Sequence, residues 1–135
     1  MDEELIKKIQ PHSEEAEKSV LGAMIMERDA IGVASDMLVK EDFYQAQNGI
    51  LFEAMTILYH EGRAVDPVTL KDKLGEMNAP ESLCQLDHLR DLVEMVPTSA
   101  NIKQYVQIVQ EKATLRQVIK VSEKITNQAY LNKEE

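Results

Sequence analysis

Three histidines and one cysteine are the residues most able to do chemistry in this 135-residue chain. His12, His60 and His88 stand far apart and lack the paired spacing of common zinc sites. Cys84 has no second thiol with which to form an internal disulfide, and the expected home is reducing and cytoplasmic. It falls next to Leu83 and Leu86 at an expected helix start, where a structural thiol is the ordinary outcome. Glu14, Glu15 and Glu17, or Asp87 and Asp91, are carboxylates close enough in sequence for acid–base work. An acid-rich first helical turn and an exposed helix face account for them without chemistry. None of the five glycines opens a G-x-x-x-x-G-K-[ST] phosphate-binding loop. No constellation meets even the outline of an active site, so the chain reads as one that acts by contact, an assembly and docking module.

The elements that would build such contacts are helices. With 44% hydrophobic and 29% charged residues the composition suits a packed core. Charges interrupt every apolar run, which excludes a membrane span, and the acidic start Met1-Asp2-Glu3-Glu4 does not fit a secretory signal. The net charge of −9 is uneven: residues 1–97 carry 9 basic and 20 acidic side chains, residues 98–135 carry 6 and 4. An acidic body repels phosphate and argues against direct nucleic-acid binding there.

Capping and spacing predict the following order. Ser13 caps a helix carrying Ala16, Val20, Leu21 and Met24 at helical spacing. Asp29 caps a short second helix through Leu38. A third runs from Asn48 to Glu61 with Leu51, Phe52, Met55, Leu58 and Tyr59 inward, and Gly62 supplies its left-handed end. Asp66-Pro67 opens a fourth, with Val68, Leu70 and Leu74 as its apolar contacts. Ser82 and Gln85 resemble a capping box that starts a fifth, closed by Pro97. The aromatics of Glu41-Asp42-Phe43-Tyr44 are expected to pin a loop into the core.

Thr98 or Ser99 caps the last helix, from Ile102 to about Gln128, roughly 40 Å long. Its apolar face changes partway. Ile102, Tyr105, Val106, Val109 and Ala113 share one side; Leu115, Val118, Ile119, Ser122, Ile125 and Ala129 lie about half a turn away. The first half is expected to dock on the body and the second on something else; wrapping within one bundle is the alternative. Lys112, Arg116, Lys120 and Lys124 form a basic stripe away from the second apolar face. It reads as a solvated face, as a contact for an acidic partner helix, or, last, as a nucleic-acid contact.

Several segments, in order, resemble the N-terminal domain of bacterial replicative DNA helicases of the DnaB family. They are Pro11, Glu15-Ala16-Glu17, Val20-Leu21-Gly22, Asp42-Phe43-Tyr44, Phe52-Glu53-Ala54, Gly62 and Asp66 with Val68-Thr69-Leu70. Val96-Pro97-Thr98-Ser99-Ala100-Asn101-Ile102, Tyr105, Ile108-Val109, Glu111-Lys112-Ala113 and Leu115-Arg116 continue the match. Asn48-Gly49 departs from the histidine and basic residue often found there in the family, and residues 77–85 diverge.

The resemblance implies an all-α fold: a compact multi-helix head over residues 11–97 after a flexible tail (1–10), then the first helix of a hairpin over 98–135 whose second helix is missing. It implies a non-catalytic domain that assembles a hexameric collar with copies of itself, docks primase during DNA replication and in some lineages meets a helicase loader. It also implies that ATP and Mg belong to a separate C-terminal motor, leaving this piece without a cofactor. The interface candidates are Leu115, Val118, Ile119, Ser122, Ile125 and Ala129, with Arg116, Lys120 and Lys124 beside them. Rival readings are the helicase-binding C-terminal domain of a primase and a helical nucleic-acid-binding module.

Overall fold

The computed structural model describes residues 9–96 and 98–131. Most of the expected tail, and Pro97, lie outside the described residues. Among the described residues six α-helices follow one another: α1 Glu14–Met26, α2 Arg28–Met37, α3 Ala46–His60, α4 Pro67–Glu76, α5 Leu86–Glu94 and α6 Ile102–Leu131. Short 3-10 turns at Lys40–Asp42 and Glu81–Cys84 join them. The described residues contain no strand. The all-α expectation holds.

Local chemistry explains most boundaries. The Ser13 hydroxyl accepts from the Ala16 amide at 3.1 Å and starts α1. Asp66 and Thr69 cap one another reciprocally at the head of α4, each backbone N–H donating 2.9 Å to the other's side chain. Gly62, at φ +73°, ends α3 in the left-handed region. Other boundaries differ from expectation. Glu27, not Asp29, precedes α2. The Ser82–Gln85 pattern forms a 3-10 turn instead of a capping box, and α5 begins only at Leu86. Cys84 sits half-buried in that turn, its Sγ 3.8 Å from the Pro80 carbonyl oxygen. Val68, expected inward, is 67% exposed, while Leu70 and Leu74 are fully covered.

The core is continuous. Val20, Leu21 and Met24 of α1 share one cluster with Leu51, Met55 and Leu58 of α3, Leu70 and Leu74 of α4, Leu89 and Leu92 of α5, and Val106 and Val109 of α6. The first half of α6 is therefore a wall of the body. Gly22 lets α1 and α5 touch: a Cβ there would lie 2.1 Å from the Leu92 carbonyl oxygen and 2.6 Å from Val96 Cγ2.

Arg28 closes the far end of α3. Its guanidinium donates to the Arg63 carbonyl (2.7 Å) and the Tyr59 carbonyl (3.2 Å), with its carbon 4.8 Å from the Tyr59 ring centre. On α4, Lys73 bridges Glu76 at 2.9 Å and Glu61 at 3.4 Å. Its hydrogen bond to Glu76 raises the Lys73 pKa, and the same bond lowers that of Glu76. The Glu76 contribution is present above the ordinary carboxylate pKa and fades as acid protonates it. The Lys73 contribution is present at neutral pH and fades only as base removes its raised proton. A Lys73→Met chain is expected to show a shallower acid limb in a plot of melting temperature against pH, with the neutral plateau only slightly lower.

Candidate interaction surface

The site is built where α6 leaves the body. Ile102, Val106, Val109 and Ala113 are buried and Tyr105 half-buried, as the first apolar face predicts. Beyond Ala113 the helix continues to Leu131 as an arm, and its second apolar face is left largely open among the described residues. Leu115 is 47%, Val118 56% and Ile125 62% exposed. Ile119 is half-covered, and Ser122 and Ala129 are open. Val118, Ile119, Ser122 and Thr126 line a shallow trough along this face. The structure thus brings the apolar candidates onto one open surface. A thirty-residue helix is about 45 Å long, so half of it stands clear.

The basic stripe divides. Lys120 and Lys124 are exposed. Arg116 departs from the expectation of a free or partner-facing cation, because its guanidinium serves its own chain. One nitrogen donates to the Pro11 carbonyl and another to the Asp42 carbonyl, each at 2.7 Å. Its carbon also lies 5.5 Å from the centre of the Tyr44 ring. Spacing could have exposed this role. Arg116 falls three residues after buried Ala113, on the docked face of α6 rather than the open one.

Pinned beneath Arg116 is the Asp42–Gln45 loop. Phe43 is buried against Phe52, ring centres 5.1 Å apart, but Tyr44 is turned outward, stacked on His12 at 4.0 Å. The core-pinning expectation therefore holds for one aromatic of the two. Glu17, read from sequence as one of three first-turn acids, is only 1% exposed. Its carboxylate accepts from the Tyr44 amide (2.7 Å), the Asn48 side-chain amide (2.9 Å) and the Gln45 amide (3.4 Å). It ties the loop that leads into α3 to α1 from across the fold, and α3 starts at Ala46 instead of Asn48. Asn48 is buried as its partner, and a Cβ on Gly49 would lie 2.7 Å from the Lys40 carbonyl oxygen. The Asn48-Gly49 pair thus belongs to internal packing.

Among the described residues no group of three His, Cys, Asp or Glu side chains could hold a metal ion. No helix there is long and apolar enough to cross a membrane.

A compact all-α body carries one protruding, half-open helix, and this fold defines a helical N-terminal domain. The model of the DnaB-like helicase N terminal domain matches residues 9–111, and the chain belongs to that family. It is 36% identical to the replicative DNA helicase DnaB of Geobacillus stearothermophilus over 135 residues, all of this chain and 30% of that protein. It is 34% identical to the replicative DNA helicase DnaC of Bacillus subtilis over the same span and share. The crystal structure of the N-terminal domain of DnaB helicase from Mycobacterium tuberculosis superposes with a TM-score of 0.88 at 31% identity, covering 92% of this chain and 89% of that one. The N-terminal domain of DnaB helicase from Helicobacter pylori, described with its interactions with primase, shares the fold at a TM-score of 0.74 and 22% identity, covering 96% of this chain and 99% of that one. The chain spans about 30% of the length of the curated relatives it matches. The family match falls on the N-terminal domain, apart from the ATPase motor.

Proposed function

We propose that this chain is the assembly and docking domain of a replicative helicase. It joins copies of itself into a collar and offers a surface to primase, and where a loader is used, to the loader. It does so without binding nucleotide, Mg or DNA itself. The observation that carries this reading is the open apolar face of the α6 arm, with Val118 56% and Ile125 62% exposed on a helix whose other half is buried. In the assembled protein that face is covered by a helix, from the same polypeptide or a neighbouring copy. The interactions with primase described for the Helicobacter pylori domain support the docking half of the reading. The acidic body, with 20 acidic and 9 basic side chains over residues 1–97, favours protein partners over DNA.

Sedimentation across a concentration series tests the assembly half. The 135-residue chain is expected to move from monomer towards dimer as concentration rises. A Val118→Glu, Ile125→Glu chain is expected to stay monomeric with an unchanged melting temperature, since neither residue touches the core. A parent chain that stays monomeric to its solubility limit would count against the arm as the assembly surface. Capture of purified primase by the same two chains tests the docking half separately.

A further inference from the structure

We infer that Arg116 is the outer hold that fixes the direction in which the α6 arm leaves the body, and so where the assembly surface is presented. Four apolar residues of α6 are buried, and the last of them is Ala113. Apolar contacts resist separation but tolerate sliding and tilting, because they have no preferred direction. Directional holds are few. The Gln110 amide donates to the Met37 carbonyl at 2.8 Å, and Arg116 donates to the Pro11 and Asp42 carbonyls, each at 2.7 Å. Arg116 lies farthest from the start of the helix, so it opposes tilting with the longest moment arm. From Ile102 to Arg116 is about 21 Å, and from Arg116 to Leu131 about 22 Å. Without the outer hold, a tilt of roughly 10° about the docked start would carry the tip roughly 8 Å sideways.

The anchor itself is tied into the body. The Asp42 carbonyl belongs to the loop that buried Glu17 ties to α1 through the Tyr44 and Gln45 amides. Pro11 lies beside His12, which stacks on Tyr44 at 4.0 Å and donates from Nδ1 to the Gln10 carbonyl at 2.8 Å. A planar guanidinium is needed because the two carbonyls are reached from separate nitrogens while its face lies towards the Tyr44 ring. An ammonium at the same place is a single compact donor group and cannot reproduce that fork. Arg116 is thus a positioning residue, and the inference stands whatever partner covers the arm.

Spin-label distance measurements on the 135-residue chain test it. In a Cys84→Ser background, one label pair joins Lys71 to Asn127 on the arm, and a second joins Lys71 to Gln107 on the docked half; all three positions are exposed. Labelled chain is diluted into excess unlabelled chain so that only distances within one copy are read. Arg116→Met is expected to broaden the Asn127 distribution about five times as much as the Gln107 distribution, the ratio of their distances from Ile102 along the helix. Helix content by circular dichroism is expected to stay at the parent value. Arg116→Lys is expected to broaden the Asn127 distribution to an intermediate width, and it carries the test if Arg116→Met does not fold. An unchanged Asn127 distribution in the folded variants would overturn the inference. So would equal broadening at both positions, which marks a loosened body, or a fall in helix content, which marks fraying. Full restoration by lysine would assign the hold to charge instead of to the fork.

Discussion

Glu17→Ala is expected to lower the unfolding free energy by about 3 kcal/mol, the largest loss from any single polar side chain here. The carboxylate is 1% exposed and accepts three hydrogen bonds, from the Tyr44 and Gln45 amides and from Asn48 Nδ2. Alanine removes every acceptor these donors have within the fold. Hydrogen bonds to a charged group contribute about 1.5–3 kcal/mol each, but burying the charge offsets much of their sum. Glu17→Gln keeps one oxygen and turns an NH2 group towards a donor, so it is expected to lose about 2 kcal/mol. At this chain length the alanine variant should melt roughly 10 °C lower. Calorimetry of the parent and both variants checks the order. A glutamine variant as stable as the parent would mean that charge contributes nothing to this tie.

Gly22→Ala sets two effects against each other. Alanine in a helix interior is favoured over glycine by about 0.5–1 kcal/mol. Its Cβ would lie 2.1 Å from the Leu92 carbonyl oxygen, a backbone atom that cannot rotate aside. To reach ordinary contact, α1 and α5 must part by more than 1 Å, which opens gaps around Val20, Leu89 and Leu92 in the core. Overpacking of this kind costs about 1–3 kcal/mol, and more where backbone is the obstacle. The clash wins, and a net loss of about 2–3 kcal/mol is expected by denaturant titration. The same substitution at Gly75, where nothing lies within 4 Å of a Cβ, is expected to be neutral or stabilising. Equal effects at the two glycines would refute the close-approach explanation.

These two residues also mark where the sequence stops being legible. Helix identity and order were readable because caps and apolar spacing are local: Ser13, Asp66 with Pro67, and Gly62 act within a few residues of themselves. The change of face along α6 was readable for the same reason. Contacts closed by the tertiary fold were not. Glu17 looked like a helix-dipole acid beside Glu14 and Glu15, although its place before Val20 and Leu21 put it on the apolar face. Arg116 looked like one step in a basic stripe, and only its spacing from Ala113 hinted that it turns inward. Ser82 and Gln85 had the side chains of a capping box, yet the chain between Pro80 and Gln85 takes a tighter 3-10 turn. Residues of a flat, exposed contact surface were not legible in the sequence either, because such surfaces leave no periodic signature.

The clamp at the base of the arm also has a place in time. Arg116 bonds to residues 105 and 74 positions earlier, the two widest separations among the described side-chain hydrogen bonds, with Gln110 to Met37 next at 73. Translation at about 5–20 residues per second leaves Pro11 waiting roughly 5–20 seconds for its donor. Meanwhile α1 to α5 can collapse on one another, but the wall supplied by Ile102, Val106 and Val109 is still to come. The nascent body therefore matures with one side unroofed, and the arm is aimed only when that roof closes. The body completes its own interior before the arm has a settled direction.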